Sequence, residues 1–172
     1  MRHYQVRDKS KSSTAFADAL TATFGEGVSH VVSNKVIASI ASMQGWRATQ
    51  EDSEVAFYVT PAALDLPDTL RAASAGMDTM SVFCVFDGHG GDAVARMASH
   101  IVEEHFVTQL KRELMRVADK MCADPTYLET NSDARREIFE NALRETYVAM
   151  DDTIQNTDDG RDGYFGTVGC TA

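Results

Sequence analysis

Apolar positions along the chain change period several times, and each change marks an element. Residues 36–42 are short, branched and apolar, the signature of a strand. Gly45-Trp46-Arg47 interrupts that run, Glu51-Asp52 opens the next element, and residues 55–59 read as a second strand. Residues 80–86 are apolar almost throughout, which predicts a third strand buried on both faces. Short, hairpin-like connections between the three favour antiparallel pairing. Residues 61–76 carry two prolines, several alanines and acidic side chains, and read as an excursion between strands.

Beyond the third strand the period becomes helical. Val94, Met97, Ala98, Ile101, Leu110, Leu114, Val117 and Met121 form one long apolar stripe, and Pro125 marks its break. Asn131 or Ser132 caps a second helix, with Asp133 in the first turn. Its inner face is Ile138, Ala142, Thr146 and Met150, flanked by Phe139, Leu143, Tyr147 and Ile154. Residues 158–166 form a polar, Gly-rich turn, and residues 167–172 begin a strand. At the other end, residues 1–12 are polar and read as a loose terminus. Ser13 or Thr14 caps a short helix carrying Phe16, Leu20 and Phe24, and Gly25 stops it. A sequence that halts inside an apolar strand leaves backbone groups unpaired, so the chain is expected to belong to something longer.

Composition narrows the function classes. The 172 residues include 16 basic and 26 acidic side chains, a net charge of −10, which argues against nonspecific binding to nucleic acid or anionic membranes. No stretch approaches the roughly 20 apolar residues of a membrane helix, and the N-terminus opens no secretory segment. Cys84, Cys122 and Cys170 are odd in number and lie in no close motif, which excludes a disulfide framework and a zinc ribbon. Free, mostly buried thiols in a reducing cytoplasm or nucleus are expected.

Two clusters carry chemistry. In Phe86-Asp87-Gly88-His89-Gly90-Gly91 a carboxylate and an imidazole lie two apart at a strand end, within a turn whose glycines let the backbone bend tightly. The aspartate and the carbonyl after it can ligate a hard cation, and the histidine can act as a general acid or base near neutral pH. An ordinary Asp-Gly turn with a surface histidine is the plainer alternative. In Gly45-Trp46-Arg47 with Glu51-Asp52, the paired carboxylates suit a divalent cation or its waters, and Arg47 offers a planar fork for phosphate. A solvated acidic pair beside an arginine packed on Trp46 is the alternative there. Together, at neighbouring strand ends, the two clusters fit metal-assisted phosphoryl chemistry. The run Asp158-Asp159-Gly160-Arg161-Asp162-Gly163 fails as a calcium loop, with Gly160 third and Gly169 twelfth. His100 and His105 read as packed or exposed helix residues, and Met97, Met121 and Met150 as core filler.

The ordered set Ala41-Ser42-Met43-Gln44-Gly45-Trp46-Arg47, Glu51-Asp52 and Val85-Phe86-Asp87-Gly88-His89-Gly90-Gly91 resembles metal-dependent Ser/Thr protein phosphatases of the 2C type. Val148-Ala149-Met150-Asp151 and Gly169-Cys170-Thr171-Ala172 resemble the next two landmarks, in order. The resemblance covers residues 36–172, as the N-terminal part of a catalytic domain, and leaves 1–35 as an extension. It implies an α+β fold, a four-layer α-β-β-α sandwich of two antiparallel sheets flanked by helices. It also implies two Mg²⁺ or Mn²⁺ ions held by Asp87, the Gly88 carbonyl, Glu51 and Asp52. Arg47 would hold the phosphate, His89 would protonate the leaving alkoxide of phosphoserine or phosphothreonine, and a metal-activated water would attack phosphorus. Phosphorylated proteins are the implied partners. Glu51-Asp52 stands farther from Asp87 than is usual for the family, and the excess is placed in residues 61–76. Further metal-binding aspartates of the family would follow Ala172, so the chain alone is expected to be inactive. The alternative is a noncatalytic, phosphatase-like binding or scaffold protein.

Overall fold

A computed structural model describes residues 29–32, 37–40, 42, 44–74, 80–161 and 163–172. The helix expected over residues 13–25 lies outside them. The described residues fall into two compact units. One takes the described residues up to Tyr58 with Ser81–Ser99 and Phe165–Ala172; the other comprises Val59–Met80 and His100–Tyr164.

The first unit holds the strands. β1 (Ser29–Val32) pairs antiparallel with β2 (Ile37–Ile40), Ser29 opposite Ile40 and Val32 opposite Ile37. β3 (Ser53–Val59), β4 (Met80–His89) and β5 (Gly169–Thr171) form a second sheet in the order β3-β4-β5. β4 and β5 are antiparallel, with Asp87 opposite Thr171, Gly88 opposite Cys170 and His89 opposite Gly169. The residues expected as a first strand therefore belong to a separate two-stranded sheet, paired with a strand whose residues carried no expectation. Ala56, Phe57, Phe86, Val94, Ala95 and Ala98 are the buried core of this unit.

β4 corrects two expectations. It extends to His89, so the Asp-Gly-His motif lies within the strand rather than beyond it. It is also not buried on both faces: Phe86 is buried, while Phe83 and Val85 are 46% and 64% exposed. Successive strand side chains alternate between faces, so Phe83, Val85, Asp87 and His89 share one side.

The second unit is helical. Within the expected excursion over 61–76, residues 61–74 are described and are more than irregular chain. A 3-10 turn, Pro61–Leu64, is capped by the Thr60 hydroxyl, and α1 (Asp68–Ala73) follows. Leu64, Leu66 and Leu70 are each buried in the core, which fixes these short pieces by burial rather than by propensity. α2 (Ala93–Arg116) starts in the first unit and runs on through Val102, Phe106, Leu110 and Leu114, all buried. The expected stripe breaks at Val117. α3 (Ala118–Ala123) buries Met121, and α4 (Tyr127–Thr130) buries Leu128.

α5 (Ser132–Gln155) opens as expected, with Asn131 Oδ1 accepting from the Ala134 N–H at 3.2 Å. Its buried face is Ile138, Ala142, Thr146 and Met150, and it continues to Ile154. The Thr146 hydroxyl donates to the Ala142 carbonyl at 2.7 Å, which satisfies it inside the core. His105, half-buried, lies 3.2 Å from the Thr153 hydroxyl through Nε2. The segment read as a plain turn contains α6 (Asp158–Arg161) and a 3-10 turn, Tyr164–Thr167, so the last strand is shorter than expected. The fold is α+β.

Candidate active site

Every site residue expected from the sequence lies in the first unit. The approach to β3 begins with a tight turn: Arg47 N–H donates to the Gln44 carbonyl at 3.3 Å, and Gln44 Nε2 returns a bond to the Arg47 carbonyl at 2.6 Å. Gly45 makes this turn possible at φ +61°, a region that penalises a β-carbon. The turn leaves Arg47 exposed and Trp46 89% exposed. Gln50 Nε2 then donates to Ser42 Oγ at 3.0 Å, tying the segment back on itself.

Glu51 carries the join between the two motifs. Its Oε1 accepts from the Thr49 hydroxyl at 2.9 Å, and its Oε2 accepts from the Gly91 N–H at 3.3 Å. Its main-chain carbonyl lies so close to the Gly88 α-carbon that a β-carbon there would collide with it. Glu51 thus meets the Gly88–Gly91 segment twice: its side chain accepts a hydrogen bond from Gly91, and its carbonyl packs against the bare α-carbon of Gly88. Two residues on, Ser53 Oγ lies 2.8 Å from Ser99 Oγ on α2. Ser99 uses its only proton on the Arg96 carbonyl at 2.8 Å, so Ser53 is the donor. These bonds fix the strand entry on which Asp52 is exposed.

The glycine turn is held from the other side by the chain that leads into β5. Gly90, at φ +75°, fits against the Thr167 carbonyl where no β-carbon could sit, and Gly91 has φ +138°. The His89 ring lies over the Gly169 α-carbon. Asp87 is exposed and stands opposite Thr171 in the ladder. Cys84 and Cys170 are half-buried free thiols whose pKa values burial pushes up, whereas Cys122 is exposed, contrary to the expectation of mostly buried thiols.

The arrangement brings Glu51 to Gly88 and Gly91, and His89 to Gly169. It does not gather the acids into a cage: among the described residues no three His, Cys, Asp or Glu side chains stand close enough to hold a metal. In kind, the donors fit Mg²⁺ or Mn²⁺, since Glu51, Asp52, Asp87 and the Gly88 carbonyl offer only hard oxygens. Sequence reasoning missed Thr49, Ser53, Ser99 and Thr167, and it named Gly169 only within a landmark, without its place against His89. The one signal for them was the density of glycine at 88–91 and 169, which marks close backbone approach.

The sequence profile of the protein phosphatase 2C family matches residues 38–172, a stretch that contains both motifs and the clasp between them. The chain belongs to the protein phosphatase 2C family. Among curated relatives, "Probable protein phosphatase 2C 4" of Paramecium tetraurelia is 31% identical over 160 residues, covering 88% of this chain and 38% of that protein. "Protein phosphatase 2C 1" of the same organism is 33% identical, covering 78% and 30%. "Protein phosphatase 1B" of Mus musculus is 31% identical, covering 78% and 28%. The chain therefore spans less than two-fifths of the length of these relatives. No solved structure matches it. No helix among the described residues is long and apolar enough to cross a membrane.

Proposed function

We propose that the whole protein carrying this chain hydrolyses phosphoserine and phosphothreonine on proteins, with Mg²⁺ or Mn²⁺ as cofactor. The observation that carries the reading is the Glu51 clasp on Gly88 and Gly91, which ties the Glu51-Asp52 motif to the Asp87-Gly88-His89 motif. In this reading Asp87, the Gly88 carbonyl, Glu51 and Asp52 hold the metal, directly or through water. Bound there, Mg²⁺ or Mn²⁺ supplies Lewis acidity and a lowered water pKa. Arg47, on its turn, pairs with the phosphate oxygens through its planar fork. The P–O bond to serine or threonine breaks as water oxygen bonds to phosphorus, and His89 gives its proton to the departing alkoxide. The strands and helices described above would form part of a four-layer sandwich of two sheets between helices, which the family resemblance implies.

The test has two arms. Mn²⁺ is titrated calorimetrically into the purified chain and into Asp87→Asn. Phosphate release from phosphothreonine and phosphoserine peptides is measured for the whole protein with and without Mn²⁺. Saturable binding that Asp87→Asn abolishes, with Mn²⁺-dependent release, supports the reading. A folded chain without Mn²⁺ binding, and a whole protein that releases no phosphate, would favour a noncatalytic binding protein instead.

A further inference from the structure

We propose that Gly169 is the seat of the His89 imidazole, and so a positioning residue for proton donation; this role rests on the phosphatase reading above. His89 and Gly169 face each other in the β4–β5 ladder. Directly opposed residues carry their β-carbons within about 4.5–5.5 Å, the range in which cross-strand side chains meet. A β-carbon on Gly169 would stand 2.6 Å from His89 Nε2, 2.7 Å from Cε1 and 3.7 Å from Cδ2. The imidazole therefore leans across the ladder with its Nε2–Cε1 edge over the bare α-carbon of Gly169.

Glycine is required there for space rather than for backbone freedom. Among the described residues the glycines with positive φ are Gly45, Gly90, Gly91 and Gly163, and Gly169 is not one of them. Its neighbours in the strand are locked by the Asp87–Thr171 and Gly88–Cys170 pairs. What a methyl group would meet is a ring that turns about two side-chain bonds. The ring gives way, and the strand stays. Gly88 shows the opposite case, since what a methyl meets there is the Glu51 carbonyl, which is backbone.

A proton donor must reach within about 2.6–3.2 Å of the oxygen it serves, and a displacement of about 1 Å costs up to about a hundredfold in rate. The bare α-carbon at position 169 would thus decide where His89 can deliver its proton. A side chain there would push the imidazole out of line while leaving Arg47 and the acids untouched.

The first measurement needs no catalysis. In the isotopically labelled chain, with His89 assigned through His89→Gln, a nuclear Overhauser cross-peak between His89 Hε1 and the Gly169 α-protons is expected. In Gly169→Ala the His89 ring signals should move while the Gly88–Cys170 ladder contacts persist. A missing cross-peak in the unmutated chain, or His89 signals unmoved in Gly169→Ala, would overturn the seat; should that variant fail to fold, the cross-peak alone decides. The second measurement uses the whole protein. Gly169→Ala should lose about tenfold or more in kcat on a phosphothreonine peptide, with KM little changed. On p-nitrophenyl phosphate, whose leaving group needs no proton, the loss should stay within about twofold. Equal losses on both substrates would overturn the positioning role while the phosphatase reading stood. A whole protein without hydrolysis would remove both, with the cross-peak still reporting the ring's seat.

Discussion

At the scale of single residues, the site is set by what cannot be added as much as by what is present. Gly88 has an ordinary φ, yet its α-carbon lies under the Glu51 carbonyl, and neither partner is a side chain that can rotate away. Gly88→Ala should therefore destabilise the chain by about 1–3 kcal/mol, the range for overpacking, and loosen Glu51 from Gly91. Gly45→Ala is the matched control. Its β-carbon meets open space but carries φ +61°, so about 1–2 kcal/mol of backbone strain is expected with no effect on Glu51. Urea melts compare the losses, and Mn²⁺ calorimetry should fall only for Gly88→Ala. The thiols offer a second check. Burial raises the pKa of Cys84 and Cys170, so at pH 8 each holds less thiolate than an open cysteine and reacts more slowly. Exposed Cys122 should be labelled first by a thiol reagent, and Cys122→Ser should remove the fast phase. The sequence pattern made the acidic pair visible but not its division of labour. Nothing in the order Glu51-Asp52 tells that Glu51 is bonded to Thr49 and Gly91 while Asp52 faces solvent, because those partners are assembled by tertiary approach.

Among the elements, legibility follows length. α5 spans 24 residues, and its apolar period picked out Ile138, Ala142, Thr146 and Met150, each of which is buried. The cap was legible to within one residue: the sequence offered Asn131 or Ser132, either of which can satisfy orphan N–H groups, and Asn131 is the one that does. Asn131→Ala should accordingly cost about 1 kcal/mol, a fall of about 2–4 °C in Tm for a chain of this size, and Asn131→Asp should restore most of it. A Tm unchanged in Asn131→Ala would mean that tertiary packing alone holds this end of the helix. The short pieces were illegible. Pro61–Leu64, Asp68–Ala73 and Asp158–Arg161 are four to six residues each, too short for a period to emerge. Leu64, Leu66 and Leu70 give the first two their shape only once they are inside the core. β4 misled for a different reason. Residues 80–86, apolar nearly throughout, signal burial on both sides, yet Phe83 and Val85 face outward beside Asp87 and His89. Apolar composition states what a strand tolerates, and the surroundings decide which face is covered.

For the molecule as a whole, the acidic balance makes cation effects easy to misread. With a net charge of −10, any salt relieves self-repulsion, so stabilisation by Mn²⁺ alone would not identify a site. Specific binding obeys mass action: an ion that binds only the folded chain adds about 2.7 kcal/mol at a hundred times its Kd. For a chain of this length that is a rise of about 5–10 °C in Tm, from about 2–4 °C per kcal/mol. Asp87→Asn separates the two effects because it moves them in opposite directions. Losing one negative charge lowers the self-repulsion, so the variant without metal should melt at the same temperature or slightly higher. In the proposed site Asp87 is a metal ligand, and its loss should erase the Mn²⁺ increment. NaCl at matched ionic strength should shift both proteins alike. If Mn²⁺ raised the Tm of Asp87→Asn as much as that of the unmutated chain, the ion would be acting on the acidic surface at large. The clasp of Glu51 on Gly88 and Gly91 would then be a structural joint rather than the floor of a metal site.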